Sequence, residues 1–242
     1  MKPNDLFTKA GEHTLIVGMN GSGKSVMLMT QCRHAELSPV IIYNTKNDRD
    51  FMLLPSGDET VIEITSFKEF TEYFKKPRDE WHTYIVVTPP RDEMIDYERL
   101  DDYLKFQYDN VKFSYAAIDE VYSFHKNGKC GAGLNEILTR GRSSKVSAIM
   151  CSQRPKWLSL FCFTESKRIF VYFIQGVKDR LEMSSCTFLP RDLILKPYYF
   201  WAYKSGEHNG TLFAPLPLPD FISKPVSEKP TIEQIPHKNV WL

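Results

Sequence analysis

The segment Gly18-Met19-Asn20-Gly21-Ser22-Gly23-Lys24-Ser25 follows an apolar run and precedes a helical one, and it matches G-x-x-x-x-G-K-[ST] at every constrained position. Glycines let a backbone wrap with its N–H groups turned inward toward phosphate oxygens. A helix that follows adds the positive end of its dipole. On this reading Gly18, Asn20, Gly21, Ser22 and Gly23 build the cradle, Lys24 reaches the β- and γ-phosphates, and Ser25 offers its hydroxyl to Mg²⁺.

Two further groups refine this chemistry. Tyr115-Ala116-Ala117-Ile118-Asp119-Glu120 is an apolar strand ending in two acids. An acid at that point lies on the carboxyl edge of a parallel sheet, where nucleotides bind. Asp119 is expected to hold Mg²⁺ through water, and Glu120 to orient and deprotonate the attacking water. Later, Leu138-Thr139-Arg140-Gly141-Arg142-Ser143-Ser144-Lys145 precedes a strand that ends in Ser152-Gln153-Arg154-Pro155. Gln153, just past a strand, can touch the γ-phosphate or its water. Arg140 and Arg142 lie at the strand's other end, away from their own nucleotide, where one of them would suit an arginine finger acting across a subunit boundary.

These residues need a scaffold, and the hydrophobic pattern supplies one. Apolar runs at 13–17, 40–43, 61–64, 84–88, 115–118, 148–151 and 169–173 read as strands covered on both faces, and 25–37, 66–75, 97–109 and 134–138 as helices. Ser66 reads as an N-cap with Glu69 at the capping-box position, and Phe67, Phe70, Tyr73 and Phe74 form one buried stripe. The alternation implies an α/β fold with a mainly parallel sheet. Segments 198–203 and 211–214 flank KSGEHNG and read as a terminal hairpin. The expected division is an ATPase domain over 1–214 and an extended Pro-rich arm over 215–242, lying on its own domain or gripping a neighbouring subunit.

The chain has 242 residues, 42% apolar and 25% charged, with 31 Lys plus Arg against 30 Asp plus Glu. That balance excludes a disordered chain and any global field drawing the protein to nucleic acid or membrane, so contact with DNA must come from a local patch. The five cysteines have no zinc spacing and read as free thiols in a reducing compartment. Neither a signal peptide nor a membrane span is expected. The acid-rich stretch 91–102 reads as a solvated face, and Cys151 as a buried apolar group rather than a catalytic thiol. Trp157, Trp201 and Trp241 read as packing or subunit-contact residues.

GMNGSGKS, then IIYNTK, AAIDE and LTRGRSSKVSAIMCSQRP, resemble in order and content the FtsK/HerA superfamily of ring-forming DNA-pumping ATPases. Within it, they resemble the small genome-packaging ATPases of tailless icosahedral double-stranded DNA viruses. The resemblance covers roughly residues 12–157 and extends to the strand at 169–173. It implies a RecA-like fold with an extra strand between the P-loop strand and the acidic strand. It also implies ATP and Mg²⁺ as ligands, a hexameric or pentameric ring, double-stranded DNA as cargo, and docking to a capsid vertex or viral membrane protein in host cytoplasm or virion. Gln153 carries over as the sensor, and Arg140 or Arg142 as the finger. Where cellular members often carry Asp-x-Lys, this chain has Asn44-Thr45-Lys46.

Between residues 123 and 145, Lys126, Lys129, Arg140, Arg142 and Lys145 face one acid, Glu136. In a ring, a mobile Gly-rich loop carrying Lys126 and Lys129, with Lys145 nearby, would grip DNA phosphates without sequence preference. Two other readings stay open, another pump of the same superfamily (conjugation or extrusion of single-stranded phage DNA) and a small-molecule P-loop kinase, whereas the match to a GTP-dependent switch reads as chance. The switch is suggested by Thr45-Lys46-Asn47-Asp48, which matches a guanine-reading pattern but sits too soon after the P-loop to build a guanine pocket.

Overall fold

A computed structural model describes residues 5–216 and the backbone of Gln234–Ile235. β1 (His13–Val17) leads through the P-loop into α1 (Lys24–Arg33). The next elements are β2 (Val40–Tyr43), β3 (Val61–Ile64), α2 (Phe67–Tyr73) and β4 (Tyr84–Val87). They are followed by α3 (Arg91–Met94), α4 (Tyr97–Asn110) and β5 (Ser114–Ile118). A small hairpin, β6 (His125–Lys126) and β7 (Lys129–Cys130), precedes α5 (Ala132–Ser144) and β8 (Val146–Ser152). α6 (Leu160–Thr164), β9 (Ser166–Val171) and α7 (Val177–Thr187) come next. The antiparallel β10 (Phe200–Lys204), β11 (Thr211–Phe213) and β12 (Gln234–Ile235) complete the sheet.

The ten-stranded sheet runs β12-β11-β10-β9-β1-β8-β5-β2-β4-β3. The seven strands from β9 to β3 are mutually parallel, and the last three are antiparallel additions. Uninterrupted apolar strands belong in such a sheet because both faces are covered. Leu15, Val17, Ala116 and Ile118 enter one core with Phe70, Leu100 and Leu134, while Ile16, Tyr115 and Ala117 enter the other with Met27 and Leu28. β8 separates β1 from β5, which is the extra strand expected between the P-loop strand and the acidic strand. Ser66 accepts from the Glu69 N–H at 3.2 Å and caps α2, as read from the sequence. Phe70 and Tyr73 of its aromatic stripe are buried.

Three segments depart from expectation. α5 extends over thirteen residues rather than 134–138, so Arg140 and Arg142 lie on a helix and not in a loop. Its glycines weaken the helical signal, yet they are packing sites. A Cβ on Gly133 would come within 2.4 Å of the Lys105 amide nitrogen, and one on Gly141 within 2.4 Å of the Val146 carbonyl oxygen. Asp101, assigned with its neighbours to a solvated face, is buried and caps α5 from α4. It accepts from the Gly133 and Leu134 N–H groups at 2.6 and 2.9 Å. The Gly-rich stretch at 125–133, read as a loop, includes a tight hairpin. Asn127 and Gly128 take φ of 54° and 74°, the two positive values that an Asn-Gly hairpin turn provides. All five cysteines are free thiols, and burial pushes the Cys151 thiol up to about 12. Trp201 lies in the core, Trp157 is exposed, and Trp241 falls outside the described residues.

The arm expected over 215–242 also falls outside the described residues, apart from Pro215, Leu216 and β12. Within that stretch Gln234 and Ile235 pair with Phe213 and Leu212 of the same chain.

His13, at the start of β1, is buried, and its Nδ1 accepts from the Ala148 N–H at 3.0 Å. Burial pushes its imidazole down to about 4 from the usual 6.5. Between those values the unfolded chain binds the proton and the native one does not, so stability falls as pH drops from 6.5 toward 4. The shift corresponds to about 3 kcal/mol. The urea-unfolding free energy of the wild type should therefore drop more steeply than that of His13→Asn across this window. Parallel pH profiles for the two proteins would remove the assignment.

Candidate nucleotide site

The P-loop is stitched to both strands that flank β1. The Gly18 N–H donates to the Ser152 carbonyl at the end of β8 (3.1 Å), and the Met19 N–H to the Phe173 carbonyl just beyond β9 (2.9 Å). A Cβ on Gly18 would lie 2.6 Å from Tyr172 Cβ and 2.7 Å from Ser22 Oγ, so this position accepts no side chain. Gly21 and Gly23 have φ of 71° and 107°, values that glycine adopts without strain. Gly23 then caps the first turn of α1. The Ser22 hydroxyl and Lys24 Nζ both donate to the Met19 carbonyl, at 2.7 and 2.6 Å. Lys24 is 5% exposed, and burial lowers its pKa from the usual lysine value. A phosphate would stabilise the charged form by direct Coulombic attraction.

The acids stand on β5, one strand beyond β8. Asp119 is buried, and its carboxylate is held by the segment after β2. Oδ1 accepts from the Thr45 N–H (3.0 Å) and hydroxyl (2.6 Å), and Oδ2 accepts from the Lys46 N–H (3.2 Å). Burial raises its pKa, and these hydrogen bonds oppose that rise. Lys46 Nζ also donates to the Asp119 carbonyl at 2.9 Å and pairs with Glu120 Oε2 at 3.3 Å. Glu120 Oε1 is buried and has no hydrogen-bond partner among the described residues. Thr45 and Lys46 thus serve as a clamp on the two acids, while Asn44 holds the turn through Asp48. The sequence left this role undefined, and β2–β5 adjacency supplies it. The same placement answers the guanine-like pattern: Thr45 and Lys46 face the acids, three strands away from β1.

The residues present suit a magnesium ion held mainly by substrate oxygens. Ser25 is exposed in the first turn of α1. Asp119 Oδ2 accepts one hydrogen bond and keeps a site for a metal-bound water, which suits it to act through water. The described residues contain no cluster of three His, Cys, Asp or Glu of the kind an all-protein site would need. Mg²⁺ retains several waters and takes few protein ligands.

Gln153 follows β8 directly and lines a cavity of about 290 Å³ with Met19, Asn20 and Arg154. The fold therefore brings together the P-loop tip and the residue read as a sensor. Gln175, past β9, lines the same cavity and had no motif to mark it. Arg140 and Arg142 are exposed at the opposite edge of the sheet. With Tyr108, Thr139, Ser143 and Lys145 they line a cavity of about 610 Å³. Lys145, read as part of one basic group with Lys126 and Lys129, is separated from their hairpin by the length of α5, about 20 Å. Lys126 lies 4.8 Å from the Tyr97 ring centroid and 3.8 Å from a Glu98 carboxylate oxygen.

No family model matches the chain. In sequence it is similar to the DNA packaging ATPase P9 of Enterobacteria phage PRD1, with 31% identity over 98 residues, 36% of this chain. The chain spans about 42% of the length of that curated relative. In structure it is similar to the genome packaging NTPase B204 of Sulfolobus turreted icosahedral virus 2 in complex with AMPPCP. That match has a TM-score of 0.61 at 18% identity, covering 89% of this chain and 100% of the other. The conjugation coupling protein TcpA of pCW3, with ATPγS, matches at a TM-score of 0.51 and 14% identity, over 84% of this chain and 59% of the other. The resemblance read from the motifs is thus met independently by sequence and by fold: the chain has the P-loop NTPase fold of B204, and in sequence it is similar to P9.

Proposed function

We propose that the chain is a ring-forming ATPase that translocates double-stranded DNA, and that its role is to package a viral genome into a preformed capsid. The observation that supports this reading is the β1-β8-β5 order with Gln153 beside the P-loop tip, an arrangement in which phosphate cradle, sensor and water-activating acid would share one edge of the sheet. The similarity to P9 and B204 points to packaging as the use of that site.

In this reading the Gly21 to Ser25 amides and Lys24 bind the phosphates. Mg²⁺, placed by Ser25 and by Asp119 through water, would neutralise charge on the β- and γ-phosphates. Glu120 takes a proton from water as its oxygen bonds to the γ-phosphorus and the bond to the bridging oxygen breaks, giving ADP and phosphate. Gln153 reports the presence of the γ-phosphate. Lys46 fixes Glu120 by one oxygen and leaves Oε1 to accept the proton.

Among the described residues no helix is long and apolar enough to cross a membrane. The proposed docking partner is a capsid vertex or viral membrane protein. Lys126 and Lys129, on the β6–β7 hairpin, remain the proposed DNA grip.

The test is steady-state ATP hydrolysis with and without long duplex DNA, using Lys24→Ala as the blank. Several-fold stimulation that fades with added salt is expected, because phosphate contacts release counterions. Lys126→Ala combined with Lys129→Ala should reduce both the stimulation and its salt dependence. Hydrolysis indifferent to DNA, together with phosphate transfer to nucleosides, would replace the motor by a kinase.

A further inference from the structure

We infer that the nucleobase is held by an aromatic slot formed by Tyr172 and Tyr198 with the start of the C-terminal segment, and that this slot grips the ring face without distinguishing adenine from guanine. The inference rests on the reading of the P-loop as a triphosphate site and adds what holds the other end of the nucleotide.

The sheet order fixes the nucleotide's direction. Relative to β1, the acids and Gln153 all belong to the β8–β5 side. The γ-phosphate must therefore point toward β8, which sends the base toward β9 and β10. A cavity of about 290 Å³ lies on that side, lined by Gly23, Val26, Tyr172, Tyr198, Pro215 and Leu216. Its size is at the lower end of the roughly 300–1,000 Å³ typical of small-molecule sites. Gly23 belongs both to the lining of this cavity and to the phosphate loop, so the cavity adjoins the loop. A Cβ on Gly23 would lie 3.2 Å from Tyr172 Cε1 and 3.5 Å from Tyr198 Cδ1. Both rings thus stand against the P-loop backbone.

The walls are built for a flat apolar ligand. Tyr172 is buried, and its ring centroid lies 5.4 Å from that of Phe200, which stacks on Phe213 at 5.3 Å and 12°. The β10–β11 hairpin thereby backs the slot with a fixed aromatic column. Tyr198 is 55% exposed and has φ of 66°, a backbone conformation that a bulky residue rarely adopts and that tends to mark functional positions. An exposed tyrosine presented in this way over a cavity beside a phosphate loop is a stacking surface.

Discrimination between purines requires groups that read the base edge as donor or acceptor. Among the described residues the side chains lining the slot carry two hydroxyls and no carboxamide or charged group. A hydroxyl both donates and accepts, so it satisfies either edge, while stacking tolerates any base.

The test is calorimetric binding of ADP, GDP and inorganic pyrophosphate, with Mg²⁺, to the full chain and three variants. Tyr198→Ala should weaken ADP and GDP on the order of tenfold each and leave pyrophosphate unchanged. Tyr198→Trp, which keeps a stacking face, should retain ADP affinity. Wild-type ADP and GDP affinities should agree within about tenfold, since no side chain lining the slot supplies the larger ratios of a hydrogen-bonded edge. Lys24→Ala should weaken all three ligands. Unchanged ADP binding in Tyr198→Ala, or an equal loss of ADP and pyrophosphate, overturns the slot while the phosphate site stands. A hundredfold preference for ADP overturns the lack of discrimination. Pyrophosphate binding indifferent to Lys24→Ala overturns the phosphate reading, and the slot with it.

Discussion

Glu120→Gln should bind nucleotide as the wild type does and yet turn over ATP on the order of a hundredfold or more slower, the range lost when a general base is removed. The expectation follows from the two ends of one carboxylate. Oε2 is held by Lys46 at 3.3 Å, and Oε1 is buried with no partner among the described residues. An unpartnered buried carboxylate oxygen is costly, so its retention argues for a use, and a water proton is the natural occupant. Glutamine keeps the shape and an acceptor oxygen but cannot take up a proton, which separates chemistry from packing. Single-turnover hydrolysis together with a binding titration would read both quantities. A variant that hydrolyses ATP at the wild-type rate would transfer the base role elsewhere. Removing Asp119 should behave differently, because that carboxylate is tied to the Thr45–Lys46 turn by three hydrogen bonds, and its loss would loosen the clamp on Glu120 as well.

The parts of this site written in contiguous residues are legible in the sequence alone. The P-loop, the acid pair at the end of β5 and Gln153 at the end of β8 each carry a local pattern, and apolar strands of four to seven residues placed them on the sheet. The clamp of Lys46 on the acids was not legible, because it depends on β2 lying beside β5, a pairing between segments some seventy residues apart. The reach of α5 was hidden for a related reason. Gly133 and Gly141 look like helix breakers when only propensity is weighed, and their purpose is visible only once α4 and β8 press against them. Asp101 read as one acid of a solvated run because nothing local reveals that the first turn of another helix lies over it. The Asn127-Gly128 turn is the reverse case, since an Asn-Gly hairpin signal was present in the sequence and was outweighed by the glycine content around it.

Arg140→Ala or Arg142→Ala should abolish DNA-stimulated hydrolysis in the assembled protein, by on the order of a thousandfold for the one that serves as finger, with nucleotide affinity retained. The geometry requires that action to be in trans. Both arginines lie in the final turns of α5, before β8 begins, whereas Gln153 follows the end of β8. Seven residues of strand span about 23 Å, too far for an arginine to return to the phosphates bound by its own P-loop. Both side chains are exposed, neither forms an ion pair among the described residues, and both line one open cavity. Gly141 between them is buried, which seats α5 on the sheet and directs its two neighbours outward. In a head-to-tail ring the front of one subunit meets the back of the next, so this edge can face a neighbour's γ-phosphate. Mixing provides the decisive measurement. A subunit lacking the finger still has Glu120, and a Glu120→Gln subunit still has the finger, so an interface joining them in the right order is complete. In a random equal mixture about a quarter of interfaces have that order. Hydrolysis on long duplex DNA should therefore rise well above either parent alone for the arginine that acts as the finger. Activity that never exceeds the parents at any mixing ratio would show that neither arginine completes a neighbour's site.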